Sequence, residues 1–246
     1  MDGTLYQDYT FLGRYVRHLL QDVLPQETIE SKVREAYSIL DGKHTVRLGY
    51  FYNRENQTVY AHQNLQLTKS FQWNGEENEE LDQQLEQLSY IGDPWMRAFH
   101  QVREEMLTAP YEIICHHPLF VAISKLHVEK KILMTNTPEP SGPEFVKHLN
   151  IEQLFDEYVY GAEKPYGIQS TVDRLLEEGY AAHEILSIGD NPWNDLHPVK
   201  KSGGKTCLIT KYAYSDPTDW DISVRTIEEL TEFLQGQAEL HLVQVH

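Results

Sequence analysis

The sequence is poor in cysteine, in basic residues and in long apolar runs, and each shortage closes off a class of protein. Its 246 residues include 2 cysteines, Cys115 and Cys207. Neither belongs to a CxxC, and no histidine cluster has zinc-ligand spacing, so reduced thiols are expected rather than a disulfide framework or a structural zinc. Lys and Arg number 21 against 38 Asp and Glu, a net charge of −17. A field of that sign repels nucleic acid and anionic membranes, although a metal ion and one lysine can invert it locally around a small anionic substrate. No stretch approaches the roughly 18 apolar residues that a membrane span needs. The opening residues mix Asp2, Asp8, Arg14 and Arg17 with apolar ones, which is not the pattern of a secretory signal. No internal repeat or low-complexity linker is evident. A soluble, cytoplasmic protein is therefore expected, with neither nucleic acid nor membrane as partner. At 40% hydrophobic residues the chain can bury a sizeable core.

What is present changes character near residue 108. Before it the pattern is helical with one hairpin. Asp8 or Thr10 can cap a helix through "FLGRYVRHLL", and Pro25 precedes a second, "QETIESKVREAYSIL", stopped by Asp41-Gly42. "TVRLGYFYNRENQTVYAH" predicts a β-hairpin around Asn53 to Asn56. The runs "EENEELDQQLEQL" and "DPWMRAFHQVREEML" predict two more helices, the latter with Asp93 as N-cap and Pro94 at the first helical position. After residue 108 strands and helices alternate: "KKILMTN", "GPEFVKHLN", "FDEYVYG", "PYGIQSTVDRLLEEG", "EILSIGD", "NDLHPVKKSG", "KTCLIT" and "TIEELTEFLQG", the last a helix closed by Gly236. That alternation predicts βαβ units and a parallel sheet. The terminal "LHLVQVH" reads as an edge strand or a frayed tail, because it places polar residues on both faces.

Ligands of parallel sheets bind at the carboxyl ends of the strands. Three such ends carry reactive side chains: Thr135 and Asn136 after "ILM", Lys164 in "EKP", and Asp190 and Asp195 in "GDNPWND". The opening "MDGT", with Asp2, has the form of a fourth. Singly, each has a plain reading as a cap, a helix start or a turn. In this order on successive strands the set resembles the four motifs of the haloacid dehalogenase (HAD) superfamily of phosphatases and phosphotransferases. The resemblance covers about residues 117 to 235 and the first few residues. It implies an α/β fold with a Rossmann-like three-layer core and a parallel sheet, plus a mostly helical cap containing the hairpin. The core would span 1–14 and 108–246, and the cap 15–107.

By this resemblance Asp2, Thr135 and Lys164 are catalytic. Asp2 is the general acid/base, and its carbonyl reaches a Mg2+ ion also held by Asp190 and, directly or through water, by Asp195. Thr135, Asn136 and Lys164 bind the phosphoryl group, which suits chemistry that needs cations against phosphate charge. All-oxygen ligation suits Mg2+. Dehalogenases of the superfamily lack an acid at the position of Asp2, because a halide needs no proton to leave; Asp2 therefore points to phosphate esters. The implied activity is Mg2+-dependent hydrolysis of a small phosphorylated metabolite through an aspartyl phosphate. A phosphomutase, or a phosphonate hydrolase using a cap lysine such as Lys43, stays open, as does a non-catalytic binding or regulatory module. On the cap, Lys43, His44 and Arg47 are candidates for selecting substrate, against a plain reading as solvated charges.

The family motif is DxDGT, and Met1 occupies its x, so the nucleophilic Asp falls immediately before Met1. We expect that the chain starts upstream and that an internal methionine stands at position 1. The core strand ahead of that Asp is central, and four buried aliphatic residues there contribute roughly 6–12 kcal/mol. A domain's whole stability is about 5–15 kcal/mol, so loss of catalysis by a point change is easier than loss of the strand.

Overall fold

The computed structural model describes residues 1–44, 50–53, 58–61, 94–212 and 220–243. The helix expected over 76–88, the N-cap Asp93 and the cap candidate Arg47 lie outside them. The chain divides into two compact units, one formed by 9–111 with 212–214, the other by 1–8, 112–211 and 215–246.

The first unit is built on helices α1 (Phe11–Leu20), α2 (Gln26–Leu40) and α3 (Pro94–Glu105), with a hairpin of β1 (Tyr50–Asn53) and β2 (Thr58–Ala61). Apolar residues at helical spacing bring the helices together: Leu19 and Leu20 of α1, Ile29 and Val33 of α2 and Ala98 of α3 form one buried cluster. Thr10 is the N-cap of α1, but its hydroxyl accepts from Arg14 Nε (3.2 Å) rather than from a helix N–H. Arg14 is buried because Glu105 takes its charge at 2.7 Å and the ring of Tyr111 lies 4.3 Å below its guanidinium. His18, one turn on, reaches the other oxygen of Glu105 at 2.7 Å, so one carboxylate ties α1 to α3. The hairpin is antiparallel, with Tyr50 opposite Ala61 and Asn53 opposite Thr58.

The second unit alternates strand and helix: α4 (His117–Ser124), β3 (Ile132–Met134), α5 (Ser141–His148), β4 (Glu157–Val159), α6 (Tyr166–Glu177), β5 (Leu186–Gly189), α7 (His197–Lys201), β6 (Lys205–Ile209), β7 (Ile222–Val224) and α8 (Ile227–Val243). All its described ladders are parallel. Strands β3 and β4 pair in one sheet, and β5, β6 and β7 pair in that order in another. As the middle strand, β6 buries Thr206, Cys207, Leu208 and Ile209 in succession, the near-continuous burial of a strand covered on both faces. The hydroxyl of Thr206 is satisfied by Asp221, whose carboxylate also accepts from the Thr206 N–H and from Lys200. Ile168 and Val172 of α6 and Val199 of α7 pack together with Met134 of β3 and with Ile185, just before β5, in one cluster. Helix α4 packs on α8, burying Leu119, Phe120 and Ala122 against a helix that buries Leu230 and Leu234.

Two corrections follow. The tail expected as an edge strand or frayed end is helical over its described residues: α8 runs through Gly236 to Val243. Gly236, expected to close that helix, lies inside it and is not among the glycines in the left-handed region by which glycine commonly ends a helix. Helix α4 and strand β7 were not legible, the first because Pro118 reads as a breaker when it lies at the helix's first turn, where proline is tolerated. Among the described residues no helix is long and apolar enough to cross a membrane.

Candidate functional site

The turn at residues 1–5 is tight: the N–H groups of Thr4 and Leu5 both donate to the Met1 carbonyl, at 3.3 and 2.9 Å. Gly3 has φ +67°, and a Cβ there would stand 2.3 Å from Asp190 Oδ2, so only glycine lets this turn lie on that carboxylate. Asp190 itself follows the last residue of β5, Gly189, whose missing Cβ makes room for Asp195: a methyl there would stand 2.3 Å from Asp195 Cβ. The two glycines bring the Asp2 turn, Asp190 and Asp195 to one place.

Asp195 is held from several sides. Its Oδ1 accepts from Lys164 Nζ at 2.5 Å, its Oδ2 accepts from the Asn191 N–H at 3.0 Å, and its carbonyl accepts from the Ser187 hydroxyl at 2.7 Å. Asn191 caps the turn it opens, its Oδ1 accepting from the N–H groups of Trp193 and Asn194. The lysine and aspartate side chains of the pair are 12% and 8% exposed, so this ion pair is desolvated. Asn191 and Ser187 were not singled out from the sequence. The signal that could have found Asn191 is the Asn-Pro step after Gly-Asp, which favours turn initiation. Trp193, also in this turn, is buried and stacks on His197 at 4.7 Å, a packing role.

The electrostatics match the geometry. Burial, followed by the charge of Asp195, pushes the Asp190 carboxyl up to about 7, against the partial offset of the Met1 amino group and Lys164; Asp2 adds to the rise. Burial acts to lower the Lys164 ammonium, but the charge and hydrogen bond of Asp195, with Asp190 and Asp2, outweigh it and raise its pKa. Carboxylates crowded together out of water call for a cation. Among the described residues no group of three or more His, Cys, Asp or Glu has the spacing of a protein-only metal cage. Mg2+ does not ask for one: it keeps waters and takes one or two carboxylates plus phosphate oxygens. Asp190, beside Asp2, fits that requirement, whereas both oxygens of Asp195 already have partners within the protein.

Thr135 and Asn136 follow β3. The Thr135 N–H extends the ladder to the Val159 carbonyl at 3.0 Å, and its Oγ1 accepts from the Thr137 N–H at 3.2 Å, which leaves its own O–H to donate. Asn136 Oδ1 accepts from the Lys164 N–H at 2.8 Å. The cap candidates lie in the other unit: Lys43 Nζ is 3.0 Å from Asp41 Oδ2, and His44 Nε2 is 3.7 Å from Glu35 Oε1.

No family model matches the sequence, and no curated protein does. Solved structures do match. The HAD-hydrolase YfnB from Bacillus subtilis, crystallised bound to magnesium, superposes with a TM-score of 0.52 at 17% identity, over 95% of each chain. A protein of Thermotoga maritima assigned as a β-phosphoglucomutase gives 0.52 at 14% identity, again over 95% of each chain. One of Clostridium difficile assigned as a phosphatase gives 0.52 at 15% identity, with the same coverage. The protein thus has the fold of the haloacid dehalogenase-type hydrolases.

Proposed function

We propose that the protein is a Mg2+-dependent phosphoric monoester hydrolase acting on a small phosphorylated metabolite. The observation that carries this reading is the buried Lys164–Asp195 pair, 2.5 Å apart, beside Asp190 and Asp2 at the carboxyl end of β5. A fold that includes a magnesium-bound hydrolase is in keeping with it.

In this reading Asp190 and the carbonyl of Asp2 would hold Mg2+, supported by Asp195, and the bound ion would supply positive charge against the phosphate. Lys164 supplies a second cation, kept protonated by Asp195. The Thr135 hydroxyl and the Asn136 main-chain N–H donate to phosphoryl oxygens. The Asp2 carboxyl gives its proton to the leaving oxygen as the ester P–O bond breaks. It then takes a proton from the water that releases phosphate. In this reading the new bond to phosphorus is formed by a carboxylate other than Asp2, Asp190 and Asp195.

Binding tests this directly. Titration of residues 1–246 with MgCl2 should give a saturable heat and a rise in melting temperature, because ligand that binds only the folded state stabilises it. Orthovanadate should bind more tightly with Mg2+ present than without. Asp190→Asn should abolish the Mg2+ effect on both. An Asp190→Asn protein with the parental Mg2+ response would exclude this assignment.

A further inference from the structure

The loops that follow β3 and β4 are sewn to each other. The Ala162 N–H donates to the Thr135 carbonyl (2.9 Å), and the Gly161 N–H to the Thr137 carbonyl (3.1 Å). These are main-chain bonds that most side chains would permit. The bond from the Lys164 N–H to Asn136 Oδ1, 2.8 Å, is different in kind, because it requires an acceptor on the side chain at position 136. A main-chain N–H can only donate, which also fixes which end of the Asn136 amide faces it.

The place where that bond lands matters. Glu163, just before Lys164, has φ +48°, a left-handed conformation that residues other than glycine resist. Just after Lys164 the chain enters α6, with the Tyr166 N–H donating to the Glu163 carbonyl at 3.0 Å. The backbone of Lys164 is therefore the joint between a strained residue and a helix start. Its side chain is a long lever whose tip must meet Asp195 Oδ1 at 2.5 Å. A small rotation of the peptide at Lys164 would carry the ammonium off that carboxylate. A single side-chain bond holds that peptide from the β3 side.

We propose that Asn136 is a positioning residue: its side-chain carbonyl clamps the Lys164 peptide and so aims the Lys164 ammonium at Asp195 and at the phosphate site. This rests on the phosphatase reading for what the ammonium faces, and on geometry alone for the clamp. It separates two parts of Asn136. The main-chain N–H would serve phosphate whatever the side chain, whereas the clamp depends on an acceptor at the side-chain tip. Asp keeps that acceptor. Ala and Leu do not.

The test is pulsed acetylation of residues 1–246, with labelling of each lysine followed by peptide mass spectrometry. Lys164, desolvated and ion-paired, should label far more slowly than the exposed Lys201. Asn136→Ala and Asn136→Leu should each speed Lys164 labelling by about fivefold, the usual net worth of one hydrogen bond. Lys200, held by Asp221 in the same unit, should keep the parental rate. Asn136→Asp should keep Lys164 as slow as in the parent. Parental labelling of Lys164 in Asn136→Ala and Asn136→Leu would overturn the clamp. So would a rise in Asn136→Asp equal to that in Asn136→Ala, or a rise at Lys200 matching that at Lys164. Mg2+ and orthovanadate binding to the parent judges the phosphatase reading separately. If neither binds while the labelling pattern holds, that reading falls and the clamp stands.

Discussion

At the scale of single residues the site depends on groups that are costly to leave alone. Lys164 and Asp195 share a desolvated contact, and removing one partner of a buried pair leaves the other charge uncompensated. Lys164→Met should therefore destabilise the second unit by about 3 kcal/mol, in the range for broken buried pairs. Adding Asp195→Leu to Lys164→Met should recover part of that loss. Urea unfolding of the parent, the singles and the double closes the cycle, and strictly additive losses would contradict the coupling. Gly3→Ala should cost about 1–3 kcal/mol, since it combines a left-handed φ with a Cβ placed on the Asp190 carboxylate. Of these residues, Thr135, Asn136, Lys164, Asp190 and Asp195 were legible as polar groups at strand ends. Gly3, Ser187 and Asn191 were not, because what they do depends on approaches of 2.3–3.0 Å between segments far apart in the chain or folded back on themselves. The bond from Asn136 to Lys164 spans 28 positions, and no local pattern announces it.

At the scale of elements, periodicity and turn chemistry carried most of the reading. Helix α2 begins immediately after Pro25 and ends at Asp41-Gly42, with Gly42 at φ +68°, as the stop signal required. The two β-rich runs, "YFYN" and "TVYA", pair antiparallel as a hairpin requires. The failures were an end and an edge. Helix α8 passes through Gly236, and β7 offers only the alternation of "ISV". Helices α1 and α3 make a further point about charge. Burial alone would raise the Glu105 carboxyl, but the hydrogen bonds from Arg14 and His18 outweigh it and hold the carboxyl below its usual range. A depressed acid contributes stability above its unfolded pKa and loses it as pH falls through the folded value. Stability of this helical unit should thus drop as pH falls below about 4.3, the free carboxyl value. Glu105→Gln should be less stable at pH 7 yet flatter across that acid range. A variant with the parental acid slope in urea unfolding would show that other carboxylates set it.

At the scale of the whole molecule, the question is what a parallel α/β unit with these ladders needs in order to act as the proposed hydrolase. Among the described residues, β3 pairs only with β4, and β5 pairs only with β6. Strand β5, which carries Asp190 at its end, leaves Leu186 43% exposed, in contrast to the full burial of β6. In the proposed reading Asp2, Asp190 and Asp195 move the proton and serve the ion, so a further carboxylate has to attack phosphorus. On that reading Asp2 cannot also be the nucleophile, because a general acid must face the leaving oxygen while the nucleophile faces phosphorus along the opposite direction of an in-line displacement. Residues 1–246 alone should therefore bind Mg2+ and orthovanadate yet give no Mg2+-dependent turnover of p-nitrophenyl phosphate. A chain lengthened before Met1 by four or five apolar residues ending in Asp should hydrolyse it. The added strand should also raise stability, by up to roughly 6–12 kcal/mol if four aliphatic side chains become buried. Changing that added Asp to Asn should remove the turnover and leave the melting temperature high, since burial of the strand does not depend on the carboxylate charge. Turnover by residues 1–246 themselves, lost in Asp2→Asn and unaffected by the extension, would instead place the nucleophile within this chain and reassign Asp2.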